Sequence, residues 1–295
     1  TYCVEAVIGS VIKPGDKLLI LSNGAYGDRM GNIAEYHGIS YDMLAFDETE
    51  QVSVSYVDDY LSHNAEITHV GGAFETTTGV LNPLKEIAHL VKMHGKKLIV
   101  DAMSSFGGVP LDVHELGIDF LISSANKCIQ GVPGFGFIIA RRSELLHCKA
   151  SPSHSLSTFT TNGKPWRKDM ANGVYFSHTR GPRLQASHGR TGRGGRCGGP
   201  SQQILREPPR AGGRMRSLGF QTLLPDEIQS PVITSFLYPH ADFNFKAFYT
   251  QLKERGFVIY PGKISQADTF RIGNIGDVHP EDFWQLIEII RECKY

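Results

Sequence analysis

Over its first 150 residues the chain alternates short apolar runs with amphipathic stretches, and few architectures accept that rhythm. VEAVIGSVI (4–12) predicts a helix and KLLILSN (17–23) a strand ending at Asn23. DRMGNIAEYHG (28–38) predicts a helix with a glycine stop, YDMLAF (41–46) a strand and VSYVDDYLSHN (54–64) a helix. EITHVGG (66–72) predicts a strand, and PLKEIAHLVKMHG (83–95) a helix opened by proline and closed by glycine. KLIVDA (97–102), DFLISS (119–124) and GFGFIIA (134–140) predict short strands. Strands alternating with helices need a mostly parallel sheet covered on both faces, so the fold class is α/β. Ligands of such sheets collect at the carboxyl ends of the strands. Those ends carry SNGAYG, AFETTTG, DAMSS and SSANK, the polar, glycine-bearing words that a small-ligand site needs.

The last eighty residues read differently. PVITSFL (231–237), FVIY (257–260) and TFRIGN (269–274) predict strands; FNFKAFYTQLKERG (243–256) and HPEDFWQLIEIIREC (279–293) predict helices, the latter with an acidic first turn. This is the pattern of a small α+β unit, so the expected organisation is a large domain over 1–215 and a C-terminal domain over 216–295. Between them, residues 177–214 hold eight arginines, nine glycines, four prolines and one acid, Glu207. The stretch shows no helical or strand period. It reads as an arginine–glycine nucleic-acid segment, as a disordered loop, or as an out-of-frame translation whose frame is restored near Met215. Nothing else in the chain supports RNA binding.

Thirty basic residues balance thirty acidic ones, so no polyanionic partner is implied, and no nucleic acid or membrane is expected as a partner. No run of eighteen apolar residues predicts a membrane span. Five scattered cysteines without a C-x-x-C pair lead us to expect a reduced, cytoplasmic protein with no metal site. The C-terminal ECKY is not a peroxisomal address.

Two strand ends carry chemistry. LIVDA puts Asp101 at the end of one apolar strand, and FLISSANK puts Lys127 after the next. A lysine amine and a carboxylate on neighbouring strands are what pyridoxal phosphate chemistry needs, the first as Schiff-base former and the second as partner of the pyridine nitrogen. The same two residues also suit an ion pair at the sheet edge. Tyr26, between glycines, is placed to stack on a flat cofactor or to pack on the surface. Met103 shares the Asp101 face if strand geometry continues, and suits either the ring or the core. The threonines of ETTTG suit a cofactor contact or a helix N-cap. Thr1 opens the first helix, where a hydroxyl and free N–H groups suit a phosphate.

Together, VDAMSSFGGVPLD, DFLISSANKCIQGVPGFGF, ETTTGVLNP, SNGAYGDRM and FVIYPGKISQADTFRIGNIG resemble the 2-aminoethylphosphonate–pyruvate aminotransferases, a branch of the fold type I pyridoxal phosphate enzymes. The resemblance runs over 1–176 and 215–295. It implies a fold type I transferase and pyridoxal 5'-phosphate as cofactor. It implies Lys127 as the Schiff-base lysine and Asp101 as the pyridine partner. Tyr26 would be the ring-stacking residue, Met103 the residue under the ring, and Thr77 and Thr1 contacting hydroxyls. Arg271 would hold the substrate's phosphonate or carboxylate. It further implies transfer of the amino group of 2-aminoethylphosphonate to pyruvate, and a homodimer with sites at the subunit interface. The family has an N-terminal arm and a glycine-rich start of the phosphate cup ahead of the position of Thr1. Beyond GVYF it has a segment that 177–214 does not match, as a truncated chain with a local frameshift would give. A serine–pyruvate or alanine–glyoxylate aminotransferase, or an inactive fragment, is the alternative.

Overall fold

A computed structural model of the chain describes residues 2–148, 173–178, 208–262 and 267–293, with the backbone alone at 173–178 and 208–211. Seven strands form the main sheet: β1 (Leu18–Ser22), β2 (Tyr41–Ala45), β3 (His69–Ala73), β4 (Lys97–Asp101), β5 (Phe120–Ser124), β6 (Phe135–Ala140) and β7 (Gly173–His178). Their order is β2-β1-β3-β4-β5-β6-β7. The first five run parallel. The sixth, GFGFIIA, runs antiparallel to β5, because only a short glycine-containing connection separates them and no crossover helix turns the chain round.

Alternation along the strands explains why both faces are covered. Leu19, Leu21, Leu98, Val100 and Leu121 pack on one face with the helices α3 (Val54–His63) and α4 (Leu84–Met93). Leu18, Ile20, Ile99, Phe120 and Ile122 point the other way, to α1 (Tyr2–Val11), α2 (Ala25–Tyr36) and α5 (Arg142–Cys148). Each strand therefore reads as a nearly continuous apolar run, as strands buried on both sides do.

Where β1 hands over to α2, the contact is close. A Cβ on Gly27 would lie 2.5 Å from Ser22 Cα, so only glycine lets the first turn of α2 rest on the strand end. The variant Gly27→Ala is expected to lose about 1–3 kcal/mol of stability through forced displacement of α2. Urea unfolding of the two proteins side by side checks this, and an unchanged midpoint would refute it.

The second sheet is antiparallel, in the order β8-β10-β9, with β8 (Ile233–Leu237), β9 (Tyr260–Pro261) and β10 (Thr269–Gly273). FVIY contributes only its last residue to β9. Phe236, Phe243, Phe248 and Phe270 fill the core beneath, with α7 (Phe245–Glu254) and α8 (Pro280–Glu292) packed over them. The capping box of α8 is formed by His279 and Asp282.

The arginine-rich stretch departs from its expected lack of period at both ends. Ser177 and His178 belong to β7, and α6 (Pro208–Ser217) covers its last residues. Paired prolines suit the first turn of α6, and Met215, fully buried in the second core, anchors its end. Residues 179–207 lie outside the described residues.

The two sheets meet along ETTTG. Leu81 N–H bonds Ile228 C=O (2.9 Å), Ser230 N–H bonds Gly79 C=O (2.7 Å), and Ser235 Oγ donates to Thr78 C=O (2.6 Å). Gly79 has φ +99°, and a Cβ there would sit 2.8 Å from Ile233 O. The word is thus a tight turn at a seam and caps no helix.

Candidate active site

The ends of β1, β3, β4 and β5 converge on one side of the sheet, where the strand order reverses around β1 and β3. Asp101 is the last residue of β4 and is almost completely buried. Its Oδ1 accepts the Met103 N–H (2.9 Å), which turns the chain immediately after the strand. Met103 therefore does not extend the strand: its place beside Asp101 is set by this turn, and its side chain packs at the rim of the core. Asp101 makes no ion pair among the described residues. Burial raises its carboxyl to about 6, opposed by the Met103 hydrogen bond and the charge of Arg29.

Lys127 lies three residues past β5, in a turn, and is half-buried. The alternative of an Asp101–Lys127 ion pair is absent from the described residues. Cys128 next to it is buried, with Sγ donating to Ser104 C=O (2.9 Å), and burial pushes its thiol up to about 12. A thiol so held is an anchor for the turn, with little nucleophilic character.

Lys127 opens into a cavity of ≈ 880 Å³ whose wall also contains Asn126, Tyr260 and Arg271. Arg271 is fixed from both sheets. Its Nε donates to Pro261 C=O (3.1 Å) and its Nη1 to Thr77 C=O (3.3 Å). Of the five N–H donors of a guanidinium, those two have partners among the described residues, which leaves three to offer a ligand. Burial pulls the guanidinium below its usual pKa, and Tyr26 and Tyr260 push it back up, which puts both phenols within electrostatic reach. Tyr260 also pairs with Arg271 across β9 and β10.

Tyr26 sits in the first turn of α2, with the Arg29 guanidinium 5.9 Å from its ring centre. Thr77 meets Arg271 through its carbonyl. The hydroxyls of Thr76 and Thr78, beside it, bond each other (2.7 Å), and that of Thr78 also reaches Glu48 C=O. Of the sequence-predicted residues, Lys127 and Arg271 share the cavity wall, Thr77 joins them through its carbonyl bond to Arg271, and Asp101 with Met103 lies at the end of β4. Thr1 lies outside the described residues.

An acid directly after an apolar strand is a signal in its own right, and Glu75 is one. It is buried, accepts a hydrogen bond from Ser230 Oγ, and keeps its other oxygen without a partner among the described residues. Burial raises its pKa, opposed first by the hydroxyls of Ser104 and Ser230 and more weakly by the charge of Lys127. Among the described residues no group of His, Cys, Asp and Glu could hold a metal ion, and no helix is long and apolar enough to cross a membrane.

Residues 1–168 match the family model described as aminotransferase class-V. A 2-aminoethylphosphonate–pyruvate transaminase of Phocaeicola vulgatus is 68% identical, the alignment covering 99% of this chain and 81% of that protein. One from Bacteroides fragilis strain YCH46 is 64% identical over 100% of this chain and 82% of its own length. Among solved structures, the ureidoglycine–glyoxylate aminotransferase of Bacillus subtilis superposes with a TM-score of 0.81 at 21% identity, over 98% of this chain and 76% of that one.

Proposed function

The chain belongs to the class-V aminotransferases, and from that premise we propose that it moves the amino group of 2-aminoethylphosphonate to pyruvate, giving phosphonoacetaldehyde and L-alanine. Its fold is that of the fold type I pyridoxal phosphate transferases, a mostly parallel α/β sheet with a smaller antiparallel sheet beside it. The observation that carries the reading is the cavity in which a half-buried lysine and an arginine with unoccupied donors share one wall.

The residues present fit pyridoxal 5'-phosphate. Asp101 is a buried carboxyl with one oxygen committed to Met103 and no cationic partner among the described residues, which is the donor-seeking group a protonated pyridine nitrogen needs. Asp101, Met103, Tyr26, Thr77 and Lys127 would hold the cofactor, with Thr1 at its phosphate. When bound, the cofactor supplies an electron sink for the carbon next to the donor's nitrogen.

The protein's own residues then divide the work. Lys127 Nζ takes the proton from the carbon bearing the donor's amino group and later gives one back, acting as general base and then acid. Asp101 would hold negative charge against the cofactor's ring nitrogen and keep that nitrogen protonated. Arg271 offers paired N–H donors to a phosphonate or a carboxylate, so one fork serves the amino donor in the first half of the cycle and pyruvate in the second. Its backbone ties to Thr77 and Pro261 hold the fork before either arrives. The same reading carries a homodimer, for which sedimentation equilibrium is the measurement.

An amino-donor panel tests the assignment. With pyruvate as acceptor, 2-aminoethylphosphonate is expected to outpace serine by at least roughly tenfold in kcat/KM, the worth of one charge-assisted contact. Equal or faster turnover of serine would replace this substrate by the serine–pyruvate type.

A further inference from the structure

Gln130 is the only non-glycine residue with a positive φ (57°) among the described residues, and it stands three places after Lys127. Its backbone closes the lysine turn. Gln130 N–H bonds Lys127 C=O (2.8 Å), and Gly131 N–H bonds Ala125 C=O (2.7 Å). A left-handed residue at the end of such a turn is ordinarily glycine, because a Cβ makes the conformation costly. Here glycine stands one place later, at Gly131, and a long amide side chain occupies the left-handed position. Strain of this kind persists where the surroundings hold it in place, and it concentrates at functional sites.

The side chain accounts for the choice of residue. Gln130 Nε2 donates to Gly276 C=O (3.2 Å), across 146 residues of sequence. Gly276 lies in the loop between β10, which carries Arg271, and α8. The same turn is fastened from below by Cys128 Sγ on Ser104 C=O. Ile129 is fitted against Gly107, where a Cβ would come within 2.7 Å of its Cδ1. The Lys127 turn is therefore fixed to the main sheet by Cys128 and Ile129, and reaches the second sheet through Gln130.

We propose that Gln130 is a positioning residue: its left-handed backbone shapes the Lys127 turn, and its amide ties that turn to the loop following Arg271, setting the span between the two ends of the substrate cavity. The proposal rests on the reading of Lys127 and Arg271 as those two ends. A substrate anchored by its phosphonate at one end and its amino group at the other requires this span to be held, and the seam at ETTTG lies on the other side of Arg271, at Thr77.

The experiment uses the full chain and the variants Gln130→Gly and Gln130→Glu. Glycine keeps the left-handed turn and removes the tether; glutamate keeps the length and removes the N–H donor. Amide hydrogen exchange is read first on the cofactor-free protein. Peptides covering 274–279 are expected to exchange roughly threefold to tenfold faster in both variants, with those of β1 and β4 unchanged. In the pyridoxal phosphate-loaded protein, KM for 2-aminoethylphosphonate is expected to rise by a similar factor and kcat to change less. Unchanged exchange at 274–279 in Gln130→Gly overturns the tether, and uniform acceleration across the chain overturns it in favour of a purely structural role. Faster exchange with unaltered KM overturns the link to the substrate cavity. A wild-type protein that performs no transamination refutes the functional reading instead, and the exchange result still decides whether the tether exists.

Discussion

Lys127→Ala is expected to abolish alanine formation from 2-aminoethylphosphonate and pyruvate, by roughly two to four orders of magnitude or more, because it deletes the group that moves the proton and joins the cofactor. The loss is expected without unfolding. Lys127 makes no ion pair among the described residues, and the turn around it is closed by backbone bonds and by Cys128. Unfolding free energies of the two proteins from urea titration should agree to within about 0.5 kcal/mol. Borohydride reduction followed by peptide mass spectrometry gives an independent reading. The pyridoxyl mass is expected on the peptide carrying Lys127 in the wild type and on no peptide of the variant. A variant that retains turnover, or a label on another lysine, would move the catalytic assignment away from Lys127.

Asp101→Asn is expected to act in opposite directions on activity and on stability. Asparagine can still accept the Met103 N–H, yet it carries no charge to keep the ring nitrogen protonated, so transamination should fall by roughly a hundredfold, the worth of one buried charge-assisted bond. In the cofactor-free protein the sign reverses. Burial raises the Asp101 carboxyl to about 6, so the fold favours its protonated form. A raised acid stabilises the fold below its unfolded pKa, and that contribution disappears as pH climbs through the folded value. Wild-type stability should therefore drop between about pH 4 and pH 6 by at most about 3 kcal/mol from this group, and the asparagine variant should lack that drop. Urea unfolding at pH 4, 5, 6 and 7.5 measures it. Parallel curves for the two proteins would mean that Asp101 ionises in the fold at no cost, and its place opposite a cationic ring nitrogen would lose its physical basis. Adding pyridoxal phosphate should recover the stability in the wild type and much less of it in the variant.

Most of the sheet was determined by sequence alone, and the reason is local. Strands such as KLLIL and FLISS are apolar on both faces because both faces are covered, while PLKEIAHLVKMHG repeats with the period of a helix between a proline and a glycine. Those patterns need no distant partner to be read. The positions of Asp101 and Lys127 at the ends of two apolar runs were equally visible, since a strand's carboxyl end is fixed by where its apolar residues stop. Only the tertiary structure decided what these residues meet. Met103 reaches its place through a turn on the Asp101 carboxyl, which strand period could not reveal. Arg271 becomes a pre-set fork through a carbonyl 194 residues away, and Gln130 gains its partner 146 residues on. The antiparallel course of β6 and the role of ETTTG as a seam were likewise set by packing. Hydrogen bonds of such long reach leave no period in a sequence, because a carbonyl accepts whatever side chain sits beside it; they exist only once the two sheets are brought together.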